Sequence, residues 1–191
     1  MSSKPIVNII LGDCALFAVL GSSTVTFDGT TTTILKGLVG VSPGTSITGS
    51  YVIDDGPAQI NTLNANSCAA TRVIAYQTAS NAKCDYLMGG GDLSGLILIP
   101  GVYCATTFST VALSVVTLNA QNNPAAQWIF VAETTVITGA SSSIILANGG
   151  NAENVFWAVG TSATLGASST FKGSIIASAA ITFGSASTIV G

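Results

Sequence analysis

The 191-residue sequence contains no histidine, and Lys, Arg, Asp and Glu together make up only 7% of it. The missing imidazole removes Ser/His and Cys/His catalysis. With no Cys-x-x-Cys pair among the four cysteines, no zinc-ligand pattern remains either. Five basic and eight acidic residues leave a net charge of −3, which excludes a basic stripe for nucleic acid and a polybasic membrane anchor. Hydrophobic residues reach 48%, yet Ser, Thr, Gly or Asn interrupts each apolar stretch, so none attains the roughly 18 residues of a membrane-spanning helix. Residues 1–5 carry neither the charged nor the apolar region of a signal peptide. The expectation is therefore a mature secreted start behind a short Met-Ser-Ser remnant.

What is present is repetition. Residues 155–173 read VFWAVGTSATLGASSTFKG, residues 174–191 read SIIASAAITFGSASTIVG, and residues 17–37 read FAVLGSSTVTFDGTTTTILKG. Gly166 and Gly184, like Gly173 and Gly191, are 18 residues apart (184 − 166 and 191 − 173). A period of this length, rich in small and β-branched residues and without helical apolar spacing, fits one coil of a β-solenoid. Each coil would hold three short strands whose alternate side chains enter a shared core. Glycines at the corners would supply positive φ. Leu35, Ile47, Phe171 and Ile189, each two residues before a glycine, are expected to form one inward stack.

The pattern changes between Tyr51 and Ala82. Asp54-Asp55-Gly56-Pro57 has the form of a helix start. Ala65, Ala69, Val73 and Tyr76 then recur at helical spacing, which predicts one helical insertion over about 57–80 in a single domain spanning 1–191. The even cysteine count permits bridges, and Cys68 with Cys84, flanking the helix, is the favoured pair; four small buried thiols are the alternative.

Other chemistry finds little support. Asp54 and Asp55 are adjacent at the helix start, where capping accounts for them, and Arg72 stands alone on the helix. Gly89-Gly90-Gly91 lacks the Gly-Lys-Ser/Thr of a phosphate loop. Trp128 and Trp157 lie within apolar strands and read as core rather than sugar platforms. The expectation is a protein that is not an enzyme and carries no cofactor or metal.

Leu11-Gly12-x-Cys14-x-x-Phe17-Ala18-Val19-Leu20, the run VGVSPGTSITG at 39–49, Pro100-Gly101-Val102-Tyr103, Asn154-Val155-Phe156-Trp157-Ala158-Val159-Gly160 and Lys172-Gly173-Ser174-Ile175-Ile176-Ala177 occur in the order found in the microbial ice-binding proteins. The chain resembles that family over almost its whole length. The resemblance implies a mostly β fold, a right-handed β-helix of triangular cross-section with one long α-helix packed along its side. It also implies that the N-terminal segment packs beside late coils. The implied partner is the surface of an ice crystal, met by a secreted monomer that contacts neither nucleic acid nor membrane.

Ice offers neither charge nor pocket. A binder needs a level, periodic array whose methyl groups limit random hydration while hydroxyls anchor water. If Val25, Val136, Leu165 and Ile181 point inward, alternation turns Thr24, Thr26, Thr135, Thr164, Ala180 and Thr182 outward on one side. These six are the expected ice-binding residues. The rival side, ending in TILKG and STFKG, would present Lys36 and Lys172. The alternative function is an extracellular adhesin or matrix solenoid that binds glycans through similar hydroxyl-rich sides.

Overall fold

A computed structural model describes residues 12–81 and 83–191, and the side chains of 30–35, 75, 79 and 80 fall outside that description. Leu11, the first residue of the family-like motifs, also lies outside it. The described strands all pair in parallel and belong to one continuous sheet, arranged as three columns of stacked short strands.

The first column contains, in stacking order, β5 (Gln59–Ile60), β3 (Leu38–Val41), β1 (Phe17–Gly21), β15 (Ser174–Ala177), β12 (Val155–Val159), the first half of β10 (Trp128–Ile137), the first half of β8 (Gly101–Ser109), and β6 (Tyr86–Leu87). The second contains the first half of β4 (Ser46–Ile53), the first half of β2 (Thr24–Leu35), β16 (Ile181–Phe183), β13 (Ala163–Leu165), and the second halves of β10 and β8. The third contains the remainders of β4 and β2, then β17 (Thr188–Val190), β14 (Thr170–Lys172), β11 (Ser143–Ala147), β9 (Val115–Asn119) and β7 (Ile97–Leu98).

The 18-residue repeat is one coil. Thr164 lies beside Thr182, and Thr170 beside Thr188. The opening coil does not occupy the end of the stack. Strand β1 lies between β3 and β15, and β2 lies between β4 and β16, so the N-terminal coil is held between the second coil and the last.

The first column is buried on both sides. Ala18, Val19, Trp128, Phe130, Val155, Trp157 and Ile175 join the interior. Val102, Ile129, Val131, Phe156, Ala158 and Ile176 form a separate cluster with Tyr76. Burial on both sides explains the near-continuous apolar strands FAVLG, WIFVA and VFWAV. An aromatic ladder runs from the exposed Tyr86 into the interior: Tyr86–Tyr103, Tyr103–Phe130, Phe130–Trp157 and Trp157–Phe171 have ring centroids 4.6, 5.3, 3.9 and 4.9 Å apart. Each such pair adds roughly 0.5–1.5 kcal/mol beyond burial. Both tryptophans are core residues, as expected, with Trp128 Nε1 donating to Leu98 O and Trp157 Nε1 to Lys172 O.

The corners use glycine for two reasons. Gly173 has φ +101°, the left-handed region that favours glycine. Gly166 and Gly184 are required instead by close approach: an added Cβ would lie 2.5 Å from the Gly139 carbonyl carbon and 2.4 Å from the Ala167 nitrogen. Beside them the left-handed positions are filled by Leu113, Ser141, Ser168 and Ala186.

Three expectations require correction. The inward stack is not Leu35, Ile47, Phe171 and Ile189. Phe171 and Ile189 pair in register with Ile34 and Ile53, Leu35 lies beside Val190, and Ile47 lies beside Val25 in the second column. Counting back from glycine fails because Gly49 closes a different corner and the Lys36–Gly37 corner holds one more residue than its neighbour. The helix α1 spans Leu63–Ser80, not 57–80. Asp55 instead accepts from Gly37 N–H, β5 remains extended, and Thr62 Oγ1 accepts from Ala65 N–H at 3.3 Å as the cap. Ala65 and Cys68 are its buried contacts, whereas Val73 is exposed. Arg72 is half-buried and donates from Nη1 to Ala177 O at 3.0 Å, and burial lowers its pKa. An apolar-only pattern misses that contact.

The bridges are Cys14–Cys68 and Cys84–Cys104, not Cys68–Cys84. Helix from Cys68 to Ser80 carries the chain about 18 Å, far beyond the roughly 7 Å a disulfide can span. Cys14 and Cys68 therefore tie the 3-10 turn Gly12–Leu16 to α1, together with Phe17, Leu20 and Ala65.

Candidate functional site

The second column differs from the first in its strand chemistry. Val25, Phe27, Phe108, Val136, Ala163, Leu165, Ile181 and Phe183 are buried there. Alternation turns the residues between them outward in two rows. Pairing register, continued by one residue before β16 and β13 through the Ala163 N–H to Ala180 O and Val136 N–H to Ser162 O bonds, gives the first row as Ser46, Thr24, Ala180, Ser162, Thr135 and Thr107. The second is Thr48, Thr26, Thr182, Thr164, Ile137 and Ser109.

Coils stack at about 4.8 Å, and the rows are two residues apart along each strand, about 6.6 Å. The result is a ruled surface with a fixed mesh. None of the twelve positions carries a charged side chain. Thr48 and Thr164 are exposed, while Thr24, Thr26, Thr135, Ala180 and Thr182 are half-buried, as expected for short side chains standing side by side on a sheet.

All six expected residues fall on this column. Thr24, Ala180 and Thr135 lie in one row, and Thr26, Thr182 and Thr164 in the other. Leu165 aligns with Phe183 and Phe27 rather than with Val25, but a two-residue slip leaves Thr164 on the outward side. The sequence reading missed Ser46, Thr48, Thr107, Ser109, Ile137 and Ser162. The alternation of Ser-Ile-Thr-Gly around Ile47, parallel to Thr-Val-Thr-Phe around Val25, was the available signal for the first two.

Charge lies at the margins. Glu133 is exposed at one corner and accepts from Thr106 Oγ1 at 3.1 Å. Asp28 is exposed at the other corner, after Phe27. Asp92 bridges to Ser109 at the far end of the second row. Hydrogen bonds from Ser94 Oγ (2.6 Å) and Ser94 N–H (2.9 Å) hold its carboxyl below the usual range. The third column presents Lys172 in register with Val190, and Lys36 is exposed at its corner.

Residues 19–191 match the family described as Ice-binding-like. An ice-binding protein of Nostoc sp. strain HG1 is 36% identical over 179 residues, covering 91% of this chain and 63% of its own length. One from Lentinula edodes is 32% identical, covering 86% and 62% respectively. The chain thus spans under two thirds of the length of these relatives. Among solved structures, the ice-binding protein of the Antarctic ascomycete Antarctomyces psychrotrophicus superposes with a TM-score of 0.80 at 31% identity, covering 95% of this chain and 97% of that one. An ice-binding protein from an Antarctic biological consortium gives 0.82 at 28% identity, covering 100% and 95%.

Proposed function

We propose, on the premise that this chain belongs to the ice-binding-like family, that the second column is a face that adsorbs to ice crystals, giving thermal hysteresis and inhibiting ice recrystallisation. In this reading the three columns are the sides of a right-handed triangular solenoid, a single domain with α1 laid along the first side. The protein acts without catalysis, as a secreted monomer.

One observation carries the proposal: two uncharged, hydroxyl-bearing rows on the column flanked by charge only at its edges. A charged group would keep a hydration shell that does not match the lattice. A threonine pairs a methyl, which does not bind water, with a hydroxyl that anchors one, and ordered water can serve as part of an interface at little cost. Stiffness comes from below. The buried Phe27–Phe183 pair stacks at 4.9 Å beneath Thr26 and Thr182, so water held by neighbouring coils keeps the mesh of the sheet. Protein adsorbed at many points forces the ice front to grow as curved segments between them, and curvature lowers the local freezing point.

The first column is a poor ice contact because its outer side is buried with Tyr76 and the Cys14–Cys68 region. The third is less suited because it includes Lys172. Two disulfides, which use all four cysteines, accord with an oxidising compartment. The test is fluorescently labelled protein on a single ice hemisphere together with a hysteresis measurement. Labelled planes with hysteresis support the assignment; a dark hemisphere with no hysteresis, alongside saturable glycan binding, would replace it with the adhesin reading.

A further inference from the structure

The rows of the second column are not equivalent along their length. In the four coils formed by β4, β2, β16 and β13, the outward pairs are Ser46 and Thr48, Thr24 and Thr26, Ala180 and Thr182, and Ser162 and Thr164. Among the described residues the hydroxyls here are almost unengaged. Thr48 Oγ1 lies 3.4 Å from Thr26 Oγ1, a long and weak contact. Thr24, Thr164 and Thr182 keep their full capacity for water.

At the next two coils the arrangement changes. The Thr107 hydroxyl lies 2.9 Å from that of Thr134 and 3.1 Å from that of Thr135, and Thr134 Oγ1 donates to Thr106 O at 2.7 Å. This three-hydroxyl knot sits where the β8–β10 register shifts between Ala132 and Thr135. The second row there is broken by Ile137, which is 47% exposed. It then ends at Ser109, whose backbone bridges to that of Asp92.

We infer that ice is engaged by the four-coil patch alone, with Ser46, Thr48 and Ser162 as further ice-contacting residues, and that Thr107 and Thr135 serve to hold the coils together. The inference rests on the reading that the second column binds ice. It removes Thr135 from the ice-contacting set. It also makes the patch discontinuous in sequence, because Thr26 and Thr182 meet only where the first coil lies beside the last.

The test compares two shape-conserving double variants, T164V/T182V and T107V/T135V, with a bulky control, Thr26→Tyr. The first should partition into growing ice about fivefold more weakly, the equivalent of two net hydrogen bonds at their low end, with an unchanged melting temperature. The second should partition as the parent does while melting lower by about 3 °C or more. Equal loss of ice affinity in both pairs overturns the division, as does no loss in either pair while Thr26→Tyr abolishes binding. If none of the three variants alters binding, the assignment of the column itself is wrong.

Discussion

The two disulfides should contribute unequally to stability, in an order set by the loops they close. The Cys14–Cys68 bridge spans 54 residues and the Cys84–Cys104 bridge 20. Treated as restrictions on the unfolded chain, these loops correspond to about 4 and 3 kcal/mol respectively. Packing adds in the same direction: Cys14 and Cys68 are buried with Phe17, Leu20 and Ala65, whereas Cys84 and Cys104 are only half-buried. For a chain of this size each kcal/mol moves the melting point by about 2–4 °C. The C14A/C68A variant should therefore melt about 8–16 °C below the parent, and C84A/C104A about 6–12 °C below it. Calorimetry at fixed pH and scan rate, backed by urea titration, measures both. Equal midpoints, or a larger drop for C84A/C104A, would refute the loop argument. Because the first bridge lies beside the first column, C14A/C68A should retain its thermal hysteresis near 0 °C. Lost hysteresis with an unchanged circular dichroism spectrum would show that the covered side and the ice face are coupled.

Thr24→Tyr or Thr164→Tyr should greatly reduce thermal hysteresis with no change in the circular dichroism spectrum; unchanged hysteresis in both would falsify the choice of face. Ser187 Oγ donates to Gly184 O at 2.8 Å inside a corner, while the equivalent buried Ser169 Oγ has no partner among the described residues. Ser187→Ala should cost about 1 kcal/mol in urea unfolding and Ser169→Ala close to nothing; matching losses would contradict this. Gly166→Ala forces a Cβ against the Gly139 backbone and should destabilise by about 1–3 kcal/mol or more, whereas Gly150→Ala, with contacts no closer than 3.3 Å, should be far milder. Burial raises the pKa of the Tyr103 phenol, with a smaller contribution from Tyr86. The folded state thus favours the neutral phenol, and this stability is present below the ordinary value near 10 and lost as pH rises above it. Tyrosinate absorbance from Tyr103 should appear only with alkaline unfolding, and its appearance in folded protein would contradict the burial argument.

The repeat, the column chemistry and the outward placement of Thr24, Thr26, Thr135, Thr164, Ala180 and Thr182 on one column were legible because strand alternation is local. Val25 and Thr26 declare opposite sides without knowledge of their neighbours, and the error in aligning Leu165 was harmless because it was an even number of residues. What sequence did not yield was long-range register. Ile47 and Leu35 were assigned to the wrong stack because corner lengths differ between coils. The disulfides were mispaired because proximity along the chain stood in for proximity in space. Arg72 carries a structural contact that no apolar pattern reveals. The knot of Thr107, Thr134 and Thr135 arises from a register shift, which depends on two strands at once and leaves no mark in either alone.

The sandwiched position of the opening coil has a consequence for synthesis. Ser22 Oγ donates to Ala177 O, 155 residues downstream, and β1 and β2 gain their β15 and β16 neighbours only once the C-terminal coil exists. An ordinary repeat rod can grow one unit at a time as it leaves the ribosome, each unit seated on the one before. Here the coil of β1 and β2 is made with one flank bare and waits for the coil of β15 and β16 to cover it, which makes assembly non-local and therefore slow. Deleting the final coil would not yield a shorter rod but would strip a neighbour from its beginning as well.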